Sequence, residues 1–181
     1  MTQTIRIRPL TEADAPQWRE LRLRMLREHP EAFGSAYEDQ ANWPLDRFAQ
    51  RLRDANAPDN LILGAFDSGA LIGSVGMARD AGAKVCHKAM IVSVYVAPEA
   101  RGRGVARALF DDVISRARAL PGLEQLYLGV GADSVAARSL YLSLGFEVYG
   151  LERHALKVGE RYVDEELMVH WLHESPTSSP I

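Results

Sequence analysis

Cysteine is nearly absent: Cys86 stands alone in 181 residues. One thiol excludes an internal disulfide and any metal site built on several cysteines, and it fits a reducing, cytoplasmic setting. No metal is expected. Long apolar runs are missing as well. Nothing approaches the roughly 18 apolar residues of a membrane-spanning helix, so no membrane partner is expected. The opening MTQTIRIRPL alternates apolar and charged residues, which does not read as a signal peptide with its apolar run and cleavage site. Nor is there an excess of one charge. With 21 basic and 24 acidic side chains the net charge is −3, which argues against nucleic acid as the main partner, because phosphate binding shows as a basic excess. What remains is 47% hydrophobic and 25% charged, a globular composition in a chain long enough for one packed core and short for two. One domain is expected over residues 1–174. The Ser/Pro-rich tail, 175–181, is expected to be disordered.

The patterning alternates between strand and helix periods. Ile5, Ile7 and Pro9 begin a strand, and Thr11 and Asp14 open a helix with Trp18, Leu21 and Met25 at helical spacing. The arginines of that helix, Arg19, Arg22, Arg24 and Arg27, read as its solvated face. Residues 31–42 are less regular, and Pro44 suits the first turn of a second helix carrying Leu45, Phe48 and Leu52. Two apolar runs at 61–66 and 70–77, joined by Asp67-Ser68-Gly69, read as a hairpin. Residues 88–96 are strongly β-prone and stop at Pro98. A helix from about Gly104, a strand at 125–130, a helix at 134–144 closed by Gly145, a strand starting at 147–150 and a last strand at 163–171 complete the order β-α-α-β-β-β-α-β-α-β-β. That order is one α/β domain around a central mixed sheet, and it fits several folds.

Two segments narrow the choice. The first is Val94-Tyr95-Val96-Ala97-Pro98-Glu99-Ala100-Arg101-Gly102-Arg103-Gly104-Val105-Ala106: a strand, a proline-stopped turn, two glycines and a helix. Glycine lets a backbone approach a ligand closely, and a helix starting there exposes free N–H groups with partial positive charge. Together they seat a phosphate or pyrophosphate, with Arg101 and Arg103 adding formal charge. The run G-x-x-x-x-G-K-[ST] of a mononucleotide loop is absent, and the third glycine of a dinucleotide fingerprint is replaced by Arg107. The second segment is Ser134-x-x-Ala137-x-x-Leu140-Tyr141-x-x-x-Gly145-Phe146-Glu147.

Arg101-x-x-Gly104-x-Ala106 resembles the pyrophosphate loop of the GNAT superfamily of N-acetyltransferases, and the second segment looks like that family's N-x-x-A-x-x-L-Y-x-x-x-G-F helix. The resemblance covers about residues 5 to 171 and departs from the family at Ser134, where asparagine is frequent. It implies a GNAT-like domain with a central, mostly antiparallel mixed sheet and helices on both faces. Acetyl-CoA is then the acetyl donor, held by Val94, Tyr95, Val96, Arg101, Gly102, Arg103, Gly104, Val105, Ala106, Ser134 and Ala137. The resemblance further implies that the strand before the loop splays from its neighbour, freeing the Val94 N–H for the oxyanion and 94–96 for the pantetheine arm. Tyr141 takes the family's general-acid position.

Direct transfer needs a neutral amine, a stabilised oxyanion and a protonated leaving thiolate. The base is open: the strand Met90-Ile91-Val92-Ser93-Val94 carries no carboxylate. Candidates are Glu38, His87, Asp133, and a water held by Ser93. Phe33, Tyr37, Glu38 and Trp43, with Tyr162, Asp164 and Glu165, are expected to wall the acceptor site, where acids among aromatics suit a cationic amine. Asp164-Glu165-Glu166 fits a charged protective edge equally well. A small primary amine or an amino-acid-like molecule is the expected acceptor. The alternatives are a protein or peptide N-terminus and a non-catalytic acyl-CoA-binding module. Exposed strand edges near the C-terminus suggest a homodimer.

Overall fold

The computed structural model describes residues 5–56 and 59–173, so the tail expected at 175–181 lies outside the described residues. Strand β1 (Arg6–Pro9) leads through a 3-10 turn, Glu12–Asp14, into α1 (Ala15–Glu28). The junction is fixed by Asp14. Its carboxylate accepts from both terminal nitrogens of Arg8 at 2.7 Å and from the Thr11 backbone at 2.8 Å. After a second 3-10 turn, Pro30–Ala32, come a five-residue helix α2 (Tyr37–Ala41) and α3 (Leu45–Ala55). The sheet continues with β2 (Asn60–Asp67), β3 (Ala70–Arg79) and β4 (Lys88–Val96). Then follow α4 (Val105–Arg118), β5 (Gln125–Gly131), α5 (Val135–Ser143), β6 (Glu147–Val158) and β7 (Arg161–Trp171).

Seven strands form one sheet in the order β1-β2-β3-β4-β5-β7-β6. All neighbours are antiparallel except β4 and β5. Alternation along β2 sends Leu63 and Ala65 to one core, with α4, and Ile62 and Phe66 to the other, with α1 and α3. Helices therefore cover both faces, as the resemblance implies. Trp18, Met25, Phe48 and Leu52 are fully buried on the α1 side. Each such side chain contributes about 1.5–3 kcal/mol over exposure.

Three expectations need correction. The irregular stretch at 31–42 holds the helix α2, too short for periodicity to reveal. The strand starting at 147–150 runs on to Val158, and its pairing with β7 is broken by shifts at 148/150 and 152/156 that disrupt any alternation. The arginine face of α1 is not all solvated: Arg22 is 3% exposed. Among the described residues no helix is long and apolar enough to cross a membrane, and no group of three or more His, Cys, Asp or Glu could hold a metal ion.

Candidate functional site

The site begins with a defect in β4. Gly76 pairs with Val92 and Ser74 with Tyr95, so Ser93 and Val94 together stand opposite Val75. This is a β-bulge, and Ser93 takes a left-handed φ of 54°. The bulge turns the strand over: Ala89 and Ile91 pack on the α4 side, Tyr95 and Ala97 on the α1 side. Ser74, fully buried in an otherwise apolar strand, donates its hydroxyl to the Ser93 carbonyl at 2.7 Å and so satisfies the distorted backbone. Just before the bulge β4 leaves its other neighbour, β5. Lys88, Ala89 and Met90 pair with Gln125, Leu126 and Tyr127, and no pairing follows. The two strands open into a notch with Val94, Tyr95 and Val96 on one side.

At the end of the notch lies the glycine turn. Gly102 and Gly104 have φ of 73° and 77°, and a Cβ at either would meet nothing within 4 Å. Gly104 caps α4 with no side-chain hydrogen bond to the helix, leaving the backbone N–H groups around Arg103, Val105 and Ala106 without a side-chain partner from the cap. The fit to a pyrophosphate is good: open space, free donors and a positive helix end. The two arginines are engaged elsewhere. Arg103 is paired with Asp67 at 2.7 Å, and Arg101 donates to the Val96 carbonyl and to His29 Nε2, each at 3.1 Å. The Tyr95 side chain turns away into the α1 core, where its hydroxyl donates to Glu28 at 2.6 Å. Only its backbone borders the notch. Val105 is likewise a core side chain.

Helix α5 supplies the opposite wall. Ser134 holds its N-cap position without a side-chain capping bond, and Ala137 and Leu140 pack against the core. Tyr141 is 6% exposed, with Phe110 and Phe146 at ring distances of 5.4 and 5.9 Å. Burial pushes its phenol up to about 12. The ring is part of the core, and its proton is retained at any ordinary pH.

The other face of the sheet gathers the acceptor-side residues. Phe33 lies under the Arg22 guanidinium at 5.7 Å and Tyr37 under that of Arg27 at 5.8 Å. Trp43 is half-buried against Phe48, with the Arg47 guanidinium over its ring at 3.8 Å. Glu38 and Asp133 are exposed, and His87 sits where β4 and β5 are still closed, its carbonyl accepting from Glu124 and Gln125. None of these three is buried beside the notch.

Glu165 is different. On β5, Leu126, Leu128 and Val130 face the α4 core, so Gly129 faces the acceptor side. A Cβ on Gly129 would lie 2.5 Å from Glu165 Oε2: the carboxylate rests on the strand where a side chain would otherwise be. Glu165 is half-buried, and burial together with the charge of Glu152 raises its pKa. Its neighbours are neutralised, Asp164 by Arg153 at 3.1 Å and Glu166 by Arg138 at 2.6 Å. Glu165 forms no ion pair among the described residues. The turn Pro30–Ala32 comes close to β5 and β6 on this side and narrows the space. The acidic triplet signalled these residues; only strand alternation separates the unpaired member from the paired ones.

Comparison with known proteins matches residues 17–146 to the model of the acetyltransferase (GNAT) family. The N-alpha-acetyltransferase RimI of Mycobacterium tuberculosis is 31% identical over 157 residues, 87% of each chain. Among solved structures, a ribosomal-protein-alanine N-acetyltransferase from Brucella melitensis superposes with a TM-score of 0.81 at 27% identity, covering 92% of this chain and 99% of that one. A Salmonella typhimurium structure holding its cofactor acetyl-CoA superposes with a TM-score of 0.82 at 21% identity, covering 94% and 95%.

Proposed function

The chain belongs to the GNAT family of acetyltransferases, and from that premise we propose that it carries the acetyl group of acetyl-CoA directly to the primary amine of a small molecule. The observation that carries this reading is one continuous path: a notch between β4 and β5 ending at an uncapped, glycine-led helix. Acetyl-CoA supplies an activated acyl carbon. The backbone around Gly102, Arg103, Gly104, Val105 and Ala106 receives its pyrophosphate, with charge from Arg101 and Arg103 once they exchange His29 and Asp67 for the ligand. Val94, Tyr95 and Val96 offer backbone partners to the extended arm, and Ser134 and Ala137 line its other side. The Val94 N–H, within the bulge, is the donor to the developing oxyanion.

Two proton movements remain. An amine of pKa between about 8 and 10.4 is mostly protonated at neutral pH. Glu165, unpaired and with its pKa raised, takes that proton as the base. Tyr141 protonates the leaving sulfur. A phenol near 12 is a weak donor to a thiolate of about 8.5 in water, but the same burial raises the thiol too and narrows the gap.

A second acceptor, a peptide or protein N-terminus, draws support from the 31% identical relative named as an N-alpha-acetyltransferase. Thiol release from acetyl-CoA with pools of amino acids, polyamines, aromatic amines and short peptides tests both. One responsive pool, with the rate cut by about 100-fold in Tyr141→Phe, supports transfer. Undiminished release in the variant removes Tyr141 from the mechanism.

A further inference from the structure

We infer that the acceptor carries a carboxylate close to its amine, and that Arg22 receives that carboxylate beside the bulge while Glu165 faces the amine. The inference deepens the acetyl-transfer reading and rests on it.

Arg22 is 3% exposed, yet its partners are all neutral: Gln40 Oε1 at 3.1 Å, Ser93 Oγ at 3.4 Å and Met25 Sδ at 3.6 Å. No carboxylate pairs with it among the described residues. A buried guanidinium is ordinarily matched by an acid, because hydrogen bonds to neutral groups satisfy its donors without compensating its charge. Here the deficit is doubled. Arg51, half-buried on α3, also forms no ion pair among the described residues, and burial of Arg22, with the Arg51 charge adding to it, lowers the Arg22 pKa to about 10. Arg22 is still cationic at neutral pH. Two cations without an ion-pair partner among the described residues favour an anion, and a guanidinium presents a planar fork suited to a carboxylate.

The position says which molecule brings it. Ser93, in contact with Arg22, immediately precedes Val94, the donor assigned to the oxyanion. A group bound at Arg22 is therefore only a few bonds from the nitrogen that attacks there. Across the notch, Glu165 supplies the one unpaired acid of its triplet. Cation on one side and anion on the other fit the two charges of a free amino acid. In a peptide N-terminus an uncharged amide would stand in place of that carboxylate.

The test compares one side chain in four forms: the free amino acid, its amide, the decarboxylated amine and a dipeptide. The wild type is expected to favour the acid over the amide in kcat/KM by on the order of 10- to 100-fold. Arg22→Gln should erase that preference, raising KM for the acid far more than for the amide, and Arg22→Lys should keep part of it. A purely structural role for Arg22 would lower both substrates alike. Arg51→Gln, on a more exposed residue, guards against misfolding of the Arg22 variants and should weaken the preference by a smaller factor. Protection against heat by each form, with CoA present, reads binding without turnover. Equal use of acid and amide overturns the inference and leaves acetyl transfer standing, as does a preference for dipeptides. Protection by acids alone with no thiol release from any amine overturns the transfer reading instead. Neither protection nor release overturns both.

Discussion

Asp164, Glu165 and Glu166 are neighbours in sequence with different fates. The outer two are neutralised by arginines, while Glu165 is left half-buried over Gly129. A base works only when ionised, so activity should fall as pH drops through the Glu165 pKa, which burial and Glu152 hold above the ordinary value of about 4.3. Glu165→Gln should lower kcat by about 100-fold and abolish that acid limb; a pH–rate profile unchanged by the substitution excludes Glu165 as base. Asp14 is the stability counterpart. Arg8 and the Thr11 hydrogen bonds hold its pKa at about 2. A lowered folded-state pKa stabilises above the unfolded value near 3.8 and is lost as pH falls through about 2. Asp14→Asn should therefore cost up to about 2 kcal/mol at pH 7 and much less at pH 2, as read by urea unfolding. The sequence gives the residue types here but not their pairing. Arg22 looks like Arg19, Arg24 and Arg27 until its surroundings are seen, since an apolar stripe is recognised by hydrophobicity and a buried arginine hides within the polar remainder.

At the scale of elements, the bulge of β4 against β3 and its departure from β5 make the site. The period-2 runs and turn residues foretold β2, β3, β4 and β5 to within a residue or two, because half-buried strands leave that pattern. The bulge left a fainter trace: Ser74 and Ser93 interrupt two apolar strands, and they meet in one hydrogen bond. That Ser93 would switch the faces of β4 depends on pairing with β3, which no single segment encodes. Gly129 plays a matching part in β5. Gly129→Ala would place a methyl 2.5 Å from the Glu165 carboxylate, so the carboxylate must move. Acetyl transfer should fall by about 10-fold or more, while the melting temperature changes little, alanine being acceptable to a strand backbone. Full activity in this variant would mean that Glu165 does not act from its position over β5.

Across the whole molecule the sheet divides two tasks. The glycine turn and α5 lie with the α4 core, and the arginine and glutamate of the acceptor side lie on the opposite face, with the notch joining them. The glycine turn was legible because a backbone seat for phosphate needs glycine at fixed positions before a helix, a requirement written into contiguous residues. On the acceptor side the sequence offers Ser93 and Glu165 as candidates but hides Arg22 among solvated arginines, because the three come from distant elements. The homodimer expected from exposed strand edges has a candidate surface on the edge strand β6, where Val148, Tyr149 and Leu151 are exposed.

The central claim is that an acetyl group passes through this notch to an amine. Incubation with acetyl-CoA labelled in the acetyl carbons, followed by mass spectrometry of the acceptor, tests it most directly. The account predicts the label in an amide on the acceptor nitrogen, matched one for one by free CoA and greatly reduced in Glu165→Gln. Labelled acetate with an unmodified acceptor, or label bound covalently to the protein and not passed on, would contradict it.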